Sequence, residues 1–336
     1  MTEAAGAVPQ GEHPELAPSS CDFVLHTHPG LVRPLNEDAI GAAPSAGVYI
    51  LADGLGGYNA GEIASTMAVS SLLDDLTRVY HHACRTKTLF DPARVLRETL
   101  IAMNNSIYRA ALNSSAFEGM ATTIVVAWLI GNTLWVAHAG DSRLYRYRKG
   151  QLEQLTRDHS FSQELLDAGM VTEEEARLLP AKNLVTRALG ASSDIEPEVN
   201  VFDVHSEDLL LLCSDGLTEM VNHYEMEGLL AMHTDGLDHV AHHLIDMANE
   251  AGGRDNISVV LIRLGEVAAV NTDEALAQTN VNTASIEGLA TSATQINIET
   301  LDTILPTDPV LLGASMSLQQ WHDPDYSPDF HVQPVI

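Results

Sequence analysis

The chain has 336 residues, 45% of them apolar and only 5% aromatic, with a formal charge of −29. The length suits one large domain with a tail or two modest domains, and is ample for a sizeable core. The charge argues against nucleic acid or an anionic membrane as partner, because each phosphate approached would be repelled.

Residues 1–20 are rich in Ala, Pro, Gly and Glu without hydrophobic periodicity, and read as a disordered arm with no basic-then-apolar leader. The segment from about Phe23 to Leu264 is dense in regular patterns. Gly47 to Leu51 is a short apolar run ending at Asp53-Gly54, a buried strand that opens into a loop. Ala60 to Tyr80 places Ile63, Met67, Val69, Leu72, Leu73 and Leu76 at helical spacing. A second helix is expected over Pro92 to Leu112, with Asp91 as its N-cap and Pro92 at the first helical position. Ala121 to Ile130 and Thr133 to His138 form a hairpin around Gly131-Asn132, whose chemistry admits a type I′ turn. Arg143 to Tyr147 and Gln151 to Leu155 form another around Lys149-Gly150. Residues 159–195 read as a mobile insert of short helical pieces broken by Gly169 and Pro180. A strand over Leu209 to Cys213, helices at about 223–232 and 236–251, and a strand over Ile257 to Leu264 complete the regular part.

Strands in runs and helices in pairs predict an α+β fold with antiparallel sheets and helices packed outside them. Residues 266–336 hold ten Asp or Glu and no Lys or Arg. They read as an acidic, disordered tail whose apolar patches, Val310-Leu311-Leu312 and the stretch around Trp321, Tyr326 and Phe330, are candidate docking points. Cys21, Cys84 and Cys213 are odd in number and form no CxxC, which fits a reducing compartment without disulfides or structural zinc. No stretch approaches the roughly 18 apolar residues a membrane helix needs, so the expectation is cytoplasmic.

Five acidic sites recur where a strand gives way to a turn: Glu37-Asp38, Asp53-Gly54, Asp141, Asp215-Gly216 and Asp255. A lone Asp-Gly is an ordinary turn dipeptide. The set is different, because strands of one sheet deliver their ends to a common edge and would gather these carboxylates there. Converging carboxylates cost several kcal/mol each to desolvate, so cations are needed to neutralise them. All-oxygen ligands select hard cations: Mg²⁺, Mn²⁺ or Ca²⁺.

The strings RPLNEDA, LADGLGGYNAGEIAS, GMATTIVV, VAHAGDSRLYRYRKGQLEQLTRDHS, NLVTRALG, LLLCSDGLTEMV and GGRDNISVVLI, in this order over residues 22–264, resemble the motifs of the PPM family, the type 2C serine/threonine phosphatases, in its compact bacterial branch. The resemblance implies a four-layer α-β-β-α sandwich in a catalytic domain of residues 21–265, with 159–195 as a flap beside the site. It implies metal-dependent hydrolysis of phosphoserine and phosphothreonine in proteins by a metal-activated water, with two Mn²⁺ or Mg²⁺ ions and a third, weaker one. Asp53 would bridge two metals, with the Gly54 carbonyl as a further ligand. Asp215 and Asp255 would complete the second metal's shell, Glu37 and Asp38 would serve the first through waters, and Asp141 with Asp215 would hold the third. Arg33 would grip the substrate phosphate, where a planar fork matches two phosphoryl oxygens. The partners implied are phosphorylated proteins and a cognate Ser/Thr kinase, with the enzyme a monomer. The alternatives are a small-molecule phosphoesterase and an inactive phosphatase-like binding module.

One departure stands out. Where animal and plant members carry a His after the Asp-Gly, this chain has Leu55, which leaves the general acid unassigned; His159 is an alternative donor. Among the other histidines, His26 and His28 share a strand face with no third metal ligand nearby in sequence, and His242-His243 point in different directions from a helix.

Overall fold

The structure, a computed structural model, describes residues 21–56, 60–179, 184–232, 236–265 and 331–332. Among the described residues eleven strands run in chain order between residues 21 and 264: β1 (Cys21–His28), β2 (Asp38–Ala43), β3 (Val48–Leu55), β4 (Ala121–Thr122), β5 (Ile124–Ile130), β6 (Thr133–Ala139), β7 (Arg143–Arg148), β8 (Gln151–Gln154), β9 (Glu198–Asp203), β10 (Leu209–Cys213) and β11 (Ile257–Leu264). A twelfth, β12, is the dipeptide His331–Val332. The helices are α1 (Ala60–Thr86), α2 (Pro92–Asn113), α3 (Phe161–Asp167), α4 (Glu173–Leu178), α5 (Asp215–Thr218), α6 (His223–Leu230) and α7 (Leu237–Glu250).

The strands form two sheets, β1-β11-β10-β7-β8 and β12-β2-β3-β5-β6-β9, with β4 paired to β3 and every pairing antiparallel. The period of two in each central strand divides its side chains between two cores. In β5, Ile124, Val126 and Trp128 pack under α1 and α2, while Val125, Ala127 and Leu129 face the other sheet. In β10, Leu209, Leu211 and Cys213 pack under α6 and α7, while Leu210 and Leu212 face inward. Both faces of these strands are buried, which is why their sequences are continuous apolar runs rather than alternating ones. Three cores stacked in this way make the α-β-β-α sandwich that the resemblance implies.

Local chemistry fixes the element ends. Asp91 accepts from the backbone N–H groups of Ala93 and Arg94 at 3.0 and 3.3 Å, capping α2 ahead of Pro92. Lys149 and Gly150 both adopt positive φ, 50° and 85°, as the turn between β7 and β8 requires. The turn after β5 differs from the type I′ reading: Gly131 has φ 56° but Asn132 is not left-handed, so only its first position carries the positive φ of a type II′ turn.

Several elements escape the sequence reading, β2, β4, β9, β12 and α5 among them. Strand β9, with the pattern EVNVFD, lies at a sheet edge, half exposed, so it carries no apolar run. Strand β4 and helix α5 are too short to show a period. The 1–20 arm lies outside the described residues, as does the acidic tail except for β12, whose His331 and Val332 pair with Ala42 and Gly41 on the edge of β2.

Candidate active site

The cleft sits where the inter-sheet apolar layer runs out. Ile40 and Ala42 of β2 and Tyr49 and Leu51 of β3 face that layer, and Asp38 and Asp53 continue the same faces by the period of two. The register sets Asp38 directly opposite Asp53, a like-charged cross-strand pair that is destabilising by itself. From the facing sheet, Ser214 and Ser258 extend the rows of Leu212 and Val260, and their hydroxyls donate to Asp38 Oδ2 at 2.8 and 2.6 Å. Asp38 is fully buried, and its Oδ1 meets no donor among the described residues.

The other carboxylates arrive from the ends of neighbouring strands. Asp141 lies in the turn by which the chain passes from β6 in one sheet to β7 in the other; Asp215 follows β10 at the start of α5; Asp255 immediately precedes β11. The expectation that one sheet's edge gathers them is therefore corrected. Asp38 and Asp53 come from one sheet and Asp215 and Asp255 from the other, because the end of the layer between two stacked sheets is flanked by strand termini from both. Arg33, Glu37, Asp53, Gly54, Leu55, Asp141, Asp215 and Asp255 line one cleft of about 290 Å³, joined by Glu219, Asn256 and Val185 of the 159–195 insert. A larger hollow of about 550 Å³ lies over the β7–β8 hairpin, lined by Arg146, Arg148 and Lys149, and holds no such acid cluster.

Burial raises the pKa of Glu37, Asp38, Asp53, Asp141 and Asp215. Asp38 is pushed up to about 6 by burial, against the relief from its two serine donors, and Asp141 to about 6 by burial and then by Asp158. Asp53 and Asp215 open to solvent only in part, yet protein encloses them; burial holds both well above the ordinary carboxylate range, reinforced by Asp38 for Asp53 and by Asp141 for Asp215. Glu37 is raised by burial as well. A set of enclosed carboxylates that repel one another, with an orphaned oxygen on Asp38 and no His or Cys among the cleft residues, is the donor set of a hard-cation site. The residues fit the metals that the sequence implies.

Arg33 stands at the rim, half exposed, and its Nη2 donates to Asp255 Oδ2 at 2.6 Å. Its loop is fixed by a residue whose role the sequence reading missed. Asn256 accepts from the Glu37 N–H at 2.8 Å through Oδ1 and donates through Nδ2 to the carbonyls of Pro29 and Leu35 at 3.0 and 2.9 Å. One buried amide thus ties the segment bearing Arg33 and Glu37 to the residue beside Asp255. Gly30 permits the approach: at φ 76°, a Cβ there would lie 2.2 Å from the Asp255 carbonyl oxygen. The only signal for Asn256 was its place after Asp255, which does not separate a hub from a turn residue. Ser214 and Ser258 gave no signal beyond being polar at the ends of apolar strands.

His159 does not line the cleft. It is buried, stacks on His138 with ring centroids 4.6 Å apart, and grips Gly140 from both sides: its backbone N–H donates to the Gly140 carbonyl at 2.9 Å, and its ring Nδ1 accepts from the Gly140 N–H at 3.2 Å. It positions the turn that carries Asp141. Leu55 lies in the cleft and has no proton to give.

Comparison with known proteins agrees with this geometry. The family model described as Protein phosphatase 2C matches residues 26–256. The chain is 38% identical over 241 residues to the serine/threonine phosphatase stp of Listeria monocytogenes, covering 71% of this chain and 94% of that one. The crystal structure of the Mycobacterium tuberculosis serine/threonine phosphatase PstP/Ppp superposes with a TM-score of 0.66 at 34% identity, covering 73% of this chain and 99% of that one. The catalytic domain of PstP solved in complex with two manganese ions gives a TM-score of 0.63 at 33% identity over 73% of this chain and 99% of that one. The chain belongs to the protein phosphatase 2C family, the metal-dependent serine/threonine protein phosphatases, in its bacterial branch.

Proposed function

We propose that Asp53, Asp215 and Asp255, with Glu37, Asp38 and the Gly54 carbonyl, hold two Mn²⁺ or Mg²⁺ ions, that Asp141 with Asp215 holds a third, and that Arg33 receives the substrate phosphate. The observation that carries this reading is the convergence of enclosed carboxylates from both sheets on one cleft. Bound there, the cations would neutralise the phosphoryl charge and lower the pKa of an attacking water. Arg33 uses one N–H on Asp255, which leaves the rest of its fork for phosphoryl oxygens and fixes its direction. Asp38, held by two serines at the back of the cleft, supports Asp53 from beneath. Since Leu55 replaces a proton donor, the leaving serine or threonine oxygen takes its proton from water. The catalytic unit is residues 21–265, its substrates are made by a Ser/Thr kinase, and the enzyme works in the cytoplasm as a monomer.

The test compares a phosphothreonine peptide with a nucleoside monophosphate and a sugar phosphate, each with Mn²⁺ and again in excess chelator. Peptide hydrolysis that needs the metal supports the reading. Faster turnover of the small phosphoesters than of the peptide would replace it with a small-molecule phosphoesterase.

A further inference from the structure

Read in sequence, His26 and His28 lacked a third ligand; the fold leaves His28 aside and brings two partners to His26. Asp238 and His242 lie four residues apart on α7, which sets both on one face of the helix, and that face meets β1 at His26. One ligand-capable atom from each of the three lies within 4.8 Å of the others. His26 Nε2 donates to Asp238 Oδ1 at 2.8 Å, and the His26 and His242 rings lie 4.1 Å apart, tilted by 58°. We propose that His26, Asp238 and His242 form a second metal site that takes a borderline divalent cation of the zinc class and pins α7 to the edge strand β1.

One feature favours a metal over a plain ion pair. His242 Nδ1 donates to the Asp238 backbone carbonyl at 2.8 Å. That bond fixes the ring's proton on Nδ1 and leaves Nε2 as a free lone pair, the arrangement that outer partners impose on metal-binding histidines. Ligands at about 2.0–2.1 Å from a tetrahedral ion are roughly 3.3 Å apart, against 4.8 Å at most here, so ligation draws the three side chains together and turns the His242 ring until Nε2, rather than the Nδ1 that lies 3.5 Å from Asp238 Oδ2, faces the ion. Side chains on a partly exposed helix face and strand edge have that freedom. Two imidazoles and a carboxylate select Zn²⁺, Co²⁺, Ni²⁺ or Cu²⁺, whereas the all-oxygen cleft selects Mn²⁺ or Mg²⁺. The two sites therefore sort different ions.

The buried cluster of His138, His159 and Glu198 is not an equivalent candidate. There His159 Nδ1 is occupied by the Gly140 N–H, and the Arg187 guanidinium lies 3.5 Å from Nε2. No free lone pair remains on that ring, and a cation already stands beside it.

The site has a mechanical consequence. β1 leads through His28 into the loop of Arg33, and α7 leads through Gly252 and Gly253 into Asp255. An ion bridging His26, near the end of β1 that enters that loop, to the first turns of α7 ties together the two elements that carry the rim of the cleft.

The experiment uses the full chain, stripped of metal and then held in millimolar Mg²⁺ to fill the acidic cleft. Co²⁺ is titrated in as a visible-absorption probe, with Zn²⁺ as competitor. The expected result is one further equivalent of Co²⁺ with the bands of four- or five-coordination, displaced by Zn²⁺. His26→Ala and His242→Gln should each weaken it by more than the ~10–100-fold that loss of an outer-shell partner costs. Zn²⁺ should raise the thermal midpoint of the wild type and not of the variants, and both variants should keep Mg²⁺-dependent phosphatase activity, which also shows that they fold. Co²⁺ bands absent from the wild type, bands unchanged in both variants, or bands that Asp53→Asn removes would each overturn the proposal.

Discussion

Arg33 and Asn256 divide the work at the rim of the cleft, and substitution separates them. Arg33 is half exposed, so its pairing with Asp255 adds little to stability; the role proposed for it is substrate capture. Arg33→Ala should lower kcat/KM on a phosphothreonine peptide by roughly 10–100-fold, the loss of a charge-assisted pair of about 1.5–3 kcal/mol, with an unchanged Tm. Arg33→Lys should recover only part, and steady-state kinetics beside a melting curve checks both. Asn256→Ala should do the reverse in stability. It strands the Glu37 N–H and two carbonyls around a buried position, costing about 1–3 kcal/mol and several degrees of Tm, with activity falling because Arg33 and Glu37 lose their anchor. Asp38 gives a pH signature. Its folded-state pKa of about 6 stands above the ordinary value of 3.8, so its contribution to the stability of the metal-free protein is complete below about pH 4 and is lost as pH rises through 6. Melting curves of the stripped protein should show that fall, worth at most about 3 kcal/mol, and Asp38→Asn should flatten it. At this scale the acidic residues were legible because motif and turn chemistry mark them. Asn256, Ser214 and Ser258 were not, because a polar side chain becomes a hub only when strands distant in sequence bring it three partners.

Among the elements, those with a full period were read correctly and those without one were not. The runs IVVAWLI and LLLLC announce strands buried on both faces, and α1 and α2 carry long helical stripes. β9 is an edge strand whose exposed residues break the alternation, and β4 and α5 are set by neighbours rather than by pattern. Nor does a sequence show which sheet a strand joins, which is why Asp53 and Asp215 were expected on one sheet and lie on two. β12 is the sharpest case, since nothing in the tail marks His331–Val332 as a partner for β2. Two residue pairs add little to a fold with three cores, so a chain ending at residue 265 should fold and hydrolyse phosphopeptide at nearly the wild-type rate. Its β2 edge should nevertheless lose protection at Ala42, whose N–H faces β12, in hydrogen exchange. Loss of folding would show that the C-terminal region is structural.

For the whole molecule the governing quantity is charge. A chain at −29 repels phosphoprotein, and the acids of residues 266–336 contribute ten of those charges, so the shortened chain stands at −19. At low ionic strength it should capture an acidic phosphopeptide faster than the full chain, and the difference should close as salt rises. The same balance makes the cleft dependent on cations, for a substrate dianion cannot approach enclosed carboxylates that are themselves unneutralised. The most direct measurement is therefore Mn²⁺ binding by calorimetry alongside phosphothreonine-peptide hydrolysis, for the wild type and for Asp53→Asn and Asp215→Asn. The account predicts at least two Mn²⁺ bound to the wild type, fewer or far weaker in each variant, hydrolysis that follows occupancy and vanishes in excess chelator, and variants that remain folded. Full hydrolysis in chelator, or wild-type binding and rate in either variant, would contradict it.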